Sequence, residues 1–206
     1  CKILNCFAKA NDAKGSIFRY RNPSGGALAS SKVTAIHIFN TRFIRNQAAE
    51  FGGAIKAWKT NRTQITQCIF VYSFQFPTEQ EGWALWNKYF GSIYILDSII
   101  IKSRTSALYA QSGSKLIINS SRFANNTLSR GGVVHVMSCQ LLSIGKSVFL
   151  KTLAHGKKGG ALQTDSCQII MLCDIHVVTD LVTNTLTLVG GFFIHSAKQV
   201  KIVFVF

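Results

Sequence analysis

The sequence predicts an all-β protein: a right-handed, single-stranded parallel β-helix of about seven coils, with residues 1–206 forming one domain. Three observations carry this. A glycine-led motif recurs seven times. Apolar columns keep fixed distances from that motif. All variation in length falls at one joint per coil.

The motif is Gly-Gly-Ala followed by a branched apolar residue. It reads cleanly at Gly25-Gly26-Ala27-Leu28, Gly52-Gly53-Ala54-Ile55 and Gly159-Gly160-Ala161-Leu162. Weaker copies are Gly82-Trp83-Ala84-Leu85, Thr105-Ser106-Ala107-Leu108, Gly131-Gly132-Val133-Val134 and Gly190-Gly191-Phe192-Phe193. Periods of this size mark stacked repeat architectures, in which each unit buries its apolar face against the next. Glycine supplies the tight turn into the following strand.

The fourth residue of each copy serves as an anchor. Eight positions after it stand Ile36, Thr63, Ile93, Leu116, Leu142 and Ile170, and ten after it stand Ile38, Ile65, Ile95, Ile118, Ile144 and Leu172. Polar neighbours alternate with these, which is the period of a strand with one buried face. Fifteen after the anchor come Phe43, Phe70, Ile100, Phe123, Phe149 and Val177. Two before that column lie Thr41, Cys68, Ser98, Ser121, Ser147 and Ile175, and three after it Asn46, Ser73, Ser103, Asn126, Thr152 and Asp180. Small hydrogen-bonding residues at a turn satisfy backbone groups of neighbouring coils. Each coil takes 23 to 31 residues, and the slack lies between the Asn/Ser/Thr column and the next glycine pair. A helical solenoid would need apolar residues sustained at three- and four-residue spacing, and segments such as Ile65–Phe70 do not show it.

Composition agrees. The chain is 48% hydrophobic, with 16 Gly, 15 Phe and 2 Pro, which suits short strands joined by glycine turns. Its net charge of +15 attracts polyanions and speaks to association, not to fold. The longest apolar runs are too short to span a bilayer as a helix. The chain opens on Cys1, shows no signal peptide and ends in the apolar run 200–206, so it reads as a segment of a longer chain with further coils at one or both ends.

Phe43-Ile44-Arg45-Asn46 followed by Gly52-Gly53-Ala54-Ile55 is the cleanest repeat. Together with Gly131–Val134 after Phe123 and Asn126, it resembles the repeats of the polymorphic outer membrane proteins of the chlamydial type. Similar repeats occur in large protist surface proteins. The resemblance implies a right-handed parallel β-helix at a cell surface, serving adhesion or structure. It reports core and turn positions, so it is specific for fold and weak for function.

Candidate sites follow from the alternation. The anchor and the residue two beyond it (Ser30, Ala57, Asn87, Ala110, Val136, Thr164) should face inward. The residues between should then line an outer face: Lys56, Trp86, Tyr109 and His135 in one column, Trp58, Lys88 and Met137 in the next. Exposed aromatics beside cations hold sugar rings or partner surfaces. Cys139 and Cys167 both stand five after their anchors, one strand apart, which fits a disulfide in an oxidising compartment or a reduced stacked pair. The sequons Asn61-Arg62-Thr63, Asn119-Ser120-Ser121 and Asn125-Asn126-Thr127 are candidates for N-glycosylation, with Asn119 the least accessible.

No catalytic residue emerges. The acids Asp12, Glu50, Glu79, Glu81, Asp97, Asp165, Asp174 and Asp180 are scattered among columns, whereas glycan-cleaving chemistry needs carboxylates in pairs. The five histidines, His37, His135, His155, His176 and His195, show no metal-ligand spacing with the cysteines, and no cofactor is implied. The expected function is a structural or adhesive segment of a large extracellular or cell-surface protein, binding neighbouring protein chains or acidic glycans. The alternatives are a polysaccharide lyase or hydrolase of the pectate-lyase-like class and a basic polyanion-binding module. Nucleic acid is disfavoured, since no basic motif of a known class is interleaved with aromatics.

Overall fold

The computed structural model describes residues 2–4, 7–8, 26–48, 52–71, 74–75, 83–103, 106–128, 132–151, 153–154, 160–178, 181–182 and 192–203. Among these, every regular element is a β-strand and every strand pairing is parallel. The chain is a parallel β-solenoid with three walls.

The first wall runs through Leu28–Ser31, Ile55–Trp58, the opening of Trp83–Leu96, of Ser106–Asn119 and of Val134–Leu150, then Leu162–Asp165 and Phe192–His195. The second takes Ala35–Phe39, Arg62–Thr66, the later parts of those long strands, the opening of Ile169–Val178, and Gln199–Val203. The third stacks Lys2–Leu4, Arg42–Ile44, Ile69–Val71, Ile99–Ile101 and Arg122–Ala124 before the ends of Val134–Leu150 and Ile169–Val178. Two three-stranded ribbons of two-residue strands flank the third wall, one led by Gln47–Ala48 and one by Leu153–Ala154.

The solenoid has about five complete turns, fewer than the seven motif copies predicted. Among the described residues, the coils begun by Leu28 and Phe192 each stack on one neighbour in the first two walls. The seventh anchor also moves by one residue. Phe192, not Phe193, pairs with Leu162, and Val200 then falls in register with Ile170. The core columns fix that register, because a one-residue slip would turn every inward side chain out.

The core follows the predicted columns. Phe43, Phe70, Phe123 and Phe149 are fully buried, and the rings stack in pairs: Phe43 on Phe70 at 4.7 Å and Phe123 on Phe149 at 4.9 Å. Those distances match the strand repeat, so each ring repeats its neighbour's rotamer one coil on. Ile93, Ile95, Leu116, Ile118, Leu142 and Ile144 fill the second wall. At the bend into the third wall the Ser column forms a ladder. The backbone N–H of Cys68 donates to Ser98 Oγ at 3.1 Å, that of Ser98 to Ser121 Oγ at 3.2 Å, and that of Ser121 to Ser147 Oγ at 3.3 Å. Each hydroxyl in turn donates to the carbonyl two residues back in its own coil, at Leu96, Asn119 and Gly145. Asn126 serves the next bend, accepting from the Ser103 N–H at 3.0 Å and donating to the Ile100 carbonyl at 3.4 Å. Ser73, Thr152 and Asp180 of that column lie outside the described residues.

Sharp corners need a backbone that turns in one residue. Tyr89, Asp97 and Lys102 hold positive φ in one coil, Ser112, Ser120 and Asn125 in the next, and Ser138, Lys146 and Lys151 in the third. The spacing is eight, then five, each time. Single left-handed residues thus set the three corners, and the glycine motif leads into the first wall.

Candidate functional site

The parallel register places residues of one column directly above one another. Trp86 therefore pairs with Lys56 on one side and Tyr109 on the other, and Tyr109 with His135. Trp58 pairs with Lys88 in the neighbouring column. All six predicted face residues, Lys56, Trp58, Trp86, Lys88, Tyr109 and His135, come together on the outside of the first wall.

Their rings form a ladder. Trp58 stacks on Trp86 with centroids 5.9 Å apart, Trp86 on Tyr109 at 6.4 Å, and Tyr109 meets His135 edge-on at 5.3 Å. Such pairs contribute about 0.5–1.5 kcal/mol beyond the area they bury. The face is not the open aromatic surface expected from alternation. Trp86 is 4% exposed, Tyr109 5% and His135 8%, and Trp58 and Met137 pack against this second, smaller core. Large flat rings repeated at strand spacing cover one another, so the interior of the ladder is closed and its lower end is accessible.

That end is where the cations gather. Lys88 Nζ lies 5.9 Å from the Trp58 ring centroid and 5.1 Å from that of Tyr89, which meets Trp58 edge-on at 5.5 Å. Lys56 Nζ lies 5.5 Å over Trp86. Trp58 and Lys88 are half-buried, and Tyr89 is 44% exposed at the first corner. Around that corner, on the second wall, Arg62 and Lys115 flank the Tyr94 ring at 5.2 and 6.0 Å. Tyr89, Tyr94, Arg62 and Lys115 were not picked out by the outer-face columns. Tyr94 was findable, since it stands between the inward Ile93 and Ile95 and must face out.

At the other end of the ladder a carboxylate is held between histidines. Asp165 Oδ2 is 3.3 Å from His135 Nε2 and accepts from Gln163 Nε2 at 3.1 Å, while Asp165 Oδ1 is 3.8 Å from His195 Nδ1. Gln163 sits across from His135 and Asp165 across from Met137, so the His135–Asp165 contact is diagonal. Reading columns one at a time missed it. The other described carboxylates, Asp97 and Asp174, share a column but not adjacent coils, and Asp174 Oδ1 lies 3.5 Å from His176 Nε2. Asp12, Glu50, Glu79, Glu81, Asp180 and His155 lie outside the described residues. No group of three metal-ligating side chains occurs among the described residues.

Cys139 and Cys167 stand in one column of adjacent coils, both as free thiols, the reduced stacked pair of the two readings. Cys139 Sγ donates to the Leu141 carbonyl at 3.2 Å, and the Cys139 backbone hydrogen-bonds to the Cys167 sulfur, which favours its thiolate. Burial, then the neighbouring Cys167, pushes the Cys139 thiol up to about 12. Burial also raises Cys68 and Cys167. Cys173 is exposed, and Cys1 and Cys6 lie outside the described residues. Of the sequons, Asn61 and Asn125 are exposed at turns, whereas Asn119 is half-buried at the end of Ser106–Asn119.

No protein-family model, curated protein or solved structure matches this chain. The reading of its function therefore rests on these residues alone.

Proposed function

We propose that this chain is a non-catalytic docking segment of a large extracellular or cell-surface β-helix protein, engaging acidic glycans through the lysine–aromatic corner around Trp58. The observation that carries the reading is Lys88, poised over both Trp58 and Tyr89 at the accessible end of an otherwise closed ring ladder. An aromatic face packs against the apolar face of a sugar ring, and an ammonium beside it meets a carboxylate or sulfate on the same sugar. Lys56, Arg62 and Lys115 extend the positive surface on either side. The net charge of +15 adds long-range attraction for a polyanion. Neighbouring protein chains of a larger assembly would be met by the same corner if their contacting surface were acidic. A docking role also accords with the carboxylates: Asp97, Asp165 and Asp174 offer no pair on adjacent coils of one column. Exposed Asn61 and Asn125 are suited to carry glycan in that setting.

The test is calorimetric titration with uronate and sulfated oligosaccharides, alongside the intrinsic fluorescence of the tryptophans. The double variant Lys56→Ala/Lys88→Ala should lose about tenfold in affinity, close to 1.4 kcal/mol, and the affinity should fall with salt. Equal affinity in the double variant, or no binding of either glycan class, sinks the reading. Cleavage of either oligosaccharide by this chain would replace docking with catalysis.

A further inference from the structure

We propose that a cleft at the first corner, two coils along from Trp58, binds an uncharged saccharide chain. The cleft holds about 400 Å³ and is lined by Ser112, Gly113, Ser114, Ser138, Cys139, Gln140, Ser166, Gln168 and Phe90. That volume lies within the range of ligand sites.

The corner column changes character along the solenoid. It reads Lys32, Lys59 and Tyr89 in the first coils, then Ser112, Ser138, Ser166 and Ser196. All are left-handed, so each turns the chain in one residue between the first and second walls. Two positions on, the exposed residues become Ser114, Gln140 and Gln168. Register pairs stack these rows: Gly113 lies across from Cys139, and Leu141 across from Ile169. Hydroxyls and amides thus repeat along the axis at strand spacing.

Gly113 makes room for the Phe90 ring. Phe90, from the coil before, lies where a side chain at Gly113 would point, and a Cβ there would collide with its ring. Phe90 is buried and closes one end of the cleft with an apolar wall.

The lining decides the ligand class. Among the described residues no Lys, Arg, Asp, Glu or His lines the cleft, although the chain carries +15. A phosphate or uronate would be drawn to the cationic corner instead, and a metal would find no carboxylate or imidazole. Hydroxyl and amide groups in a periodic row match a ligand with hydroxyls in a periodic row. The shallow, open form suits a polymer lying along the axis better than a small molecule enclosed on all sides.

The test is titration of the whole chain with uncharged hexasaccharides: an α-linked glucan, a β-linked glucan and a β-linked mannan. At least one should bind with affinity indifferent to salt. Gln140→Ala/Gln168→Ala, both exposed and outside the core, should weaken it about tenfold while thermal melting stays unchanged. Lys56→Ala/Lys88→Ala should leave it intact, which separates this cleft from the acidic-glycan corner. Failure of all three sugars to bind, or equal binding by the glutamine variant, overturns the proposal. So does binding that vanishes with salt or with the lysines.

Discussion

Ser120 turns the chain from the second wall to the third at φ 50°, and Asp97 and Lys146 do the same one coil away on either side. A left-handed residue with a Cβ costs roughly 1–2 kcal/mol, and glycine trades part of that for backbone entropy. Ser120→Gly should therefore stabilise the chain by up to about 1 kcal/mol, and Ser120→Val should destabilise it by more than that, both read from urea midpoints. The buried thiols make a second residue-scale prediction. Cys139 is raised above its ordinary 9.0 to about 12, so the protonated thiol is favoured in the folded state. Its contribution is complete below pH 9 and is lost as pH rises from 9 toward 12. Denaturation across that window should show a fall in stability that Cys139→Ala flattens. On the native protein, Cys173 should react with an alkylating reagent well before Cys139, Cys167 or Cys68.

At the scale of a coil, the paired phenylalanine rings hold the third wall to the other two. Phe123→Ala removes a buried ring that stacks on Phe149, which should cost about 3–5 kcal/mol in chemical denaturation. These elements were legible in the sequence because they are periodic: the columns of Ile118, Ile144, Phe123 and Phe149 keep one distance from one motif. What was not legible lies between columns. His135 meets Asp165 on the diagonal, and a reading of single columns sees neither partner beside the other. The closure of Trp86 and Tyr109 was hidden for a related reason: alternation says which way a side chain points, not whether its like neighbours will cover it. The last anchor was misplaced because Gly190-Gly191-Phe192-Phe193 offers two identical phenylalanines for one anchor position. Only the pairing of Phe192 with Leu162 chooses between them. The site was half legible. Trp58 and Lys88 could be read from their columns, whereas Tyr89 and the serine corners belong to bends that periodicity treats as connections.

Across the whole molecule, each coil touches only the coils before and after it, so stability is a sum over neighbours. Hydrogen exchange should be slowest for Leu116, Ile118, Leu142 and Ile144, which are fully buried with coils on both sides. It should be faster for Ile36 and Ile38, whose wall pairs on one side and which are only half-buried. Uniform protection across these three coils would contradict a neighbour-by-neighbour fold. The same arrangement has a mechanical meaning. Every backbone ladder bond between coils points along the axis, so a pull on the axis loads those bonds head-on, one junction at a time. Such a rod should yield as a series of small, similar ruptures and not as one large break. A rod built this way would lengthen under load, dissipating force coil by coil while the remaining junctions keep their grip.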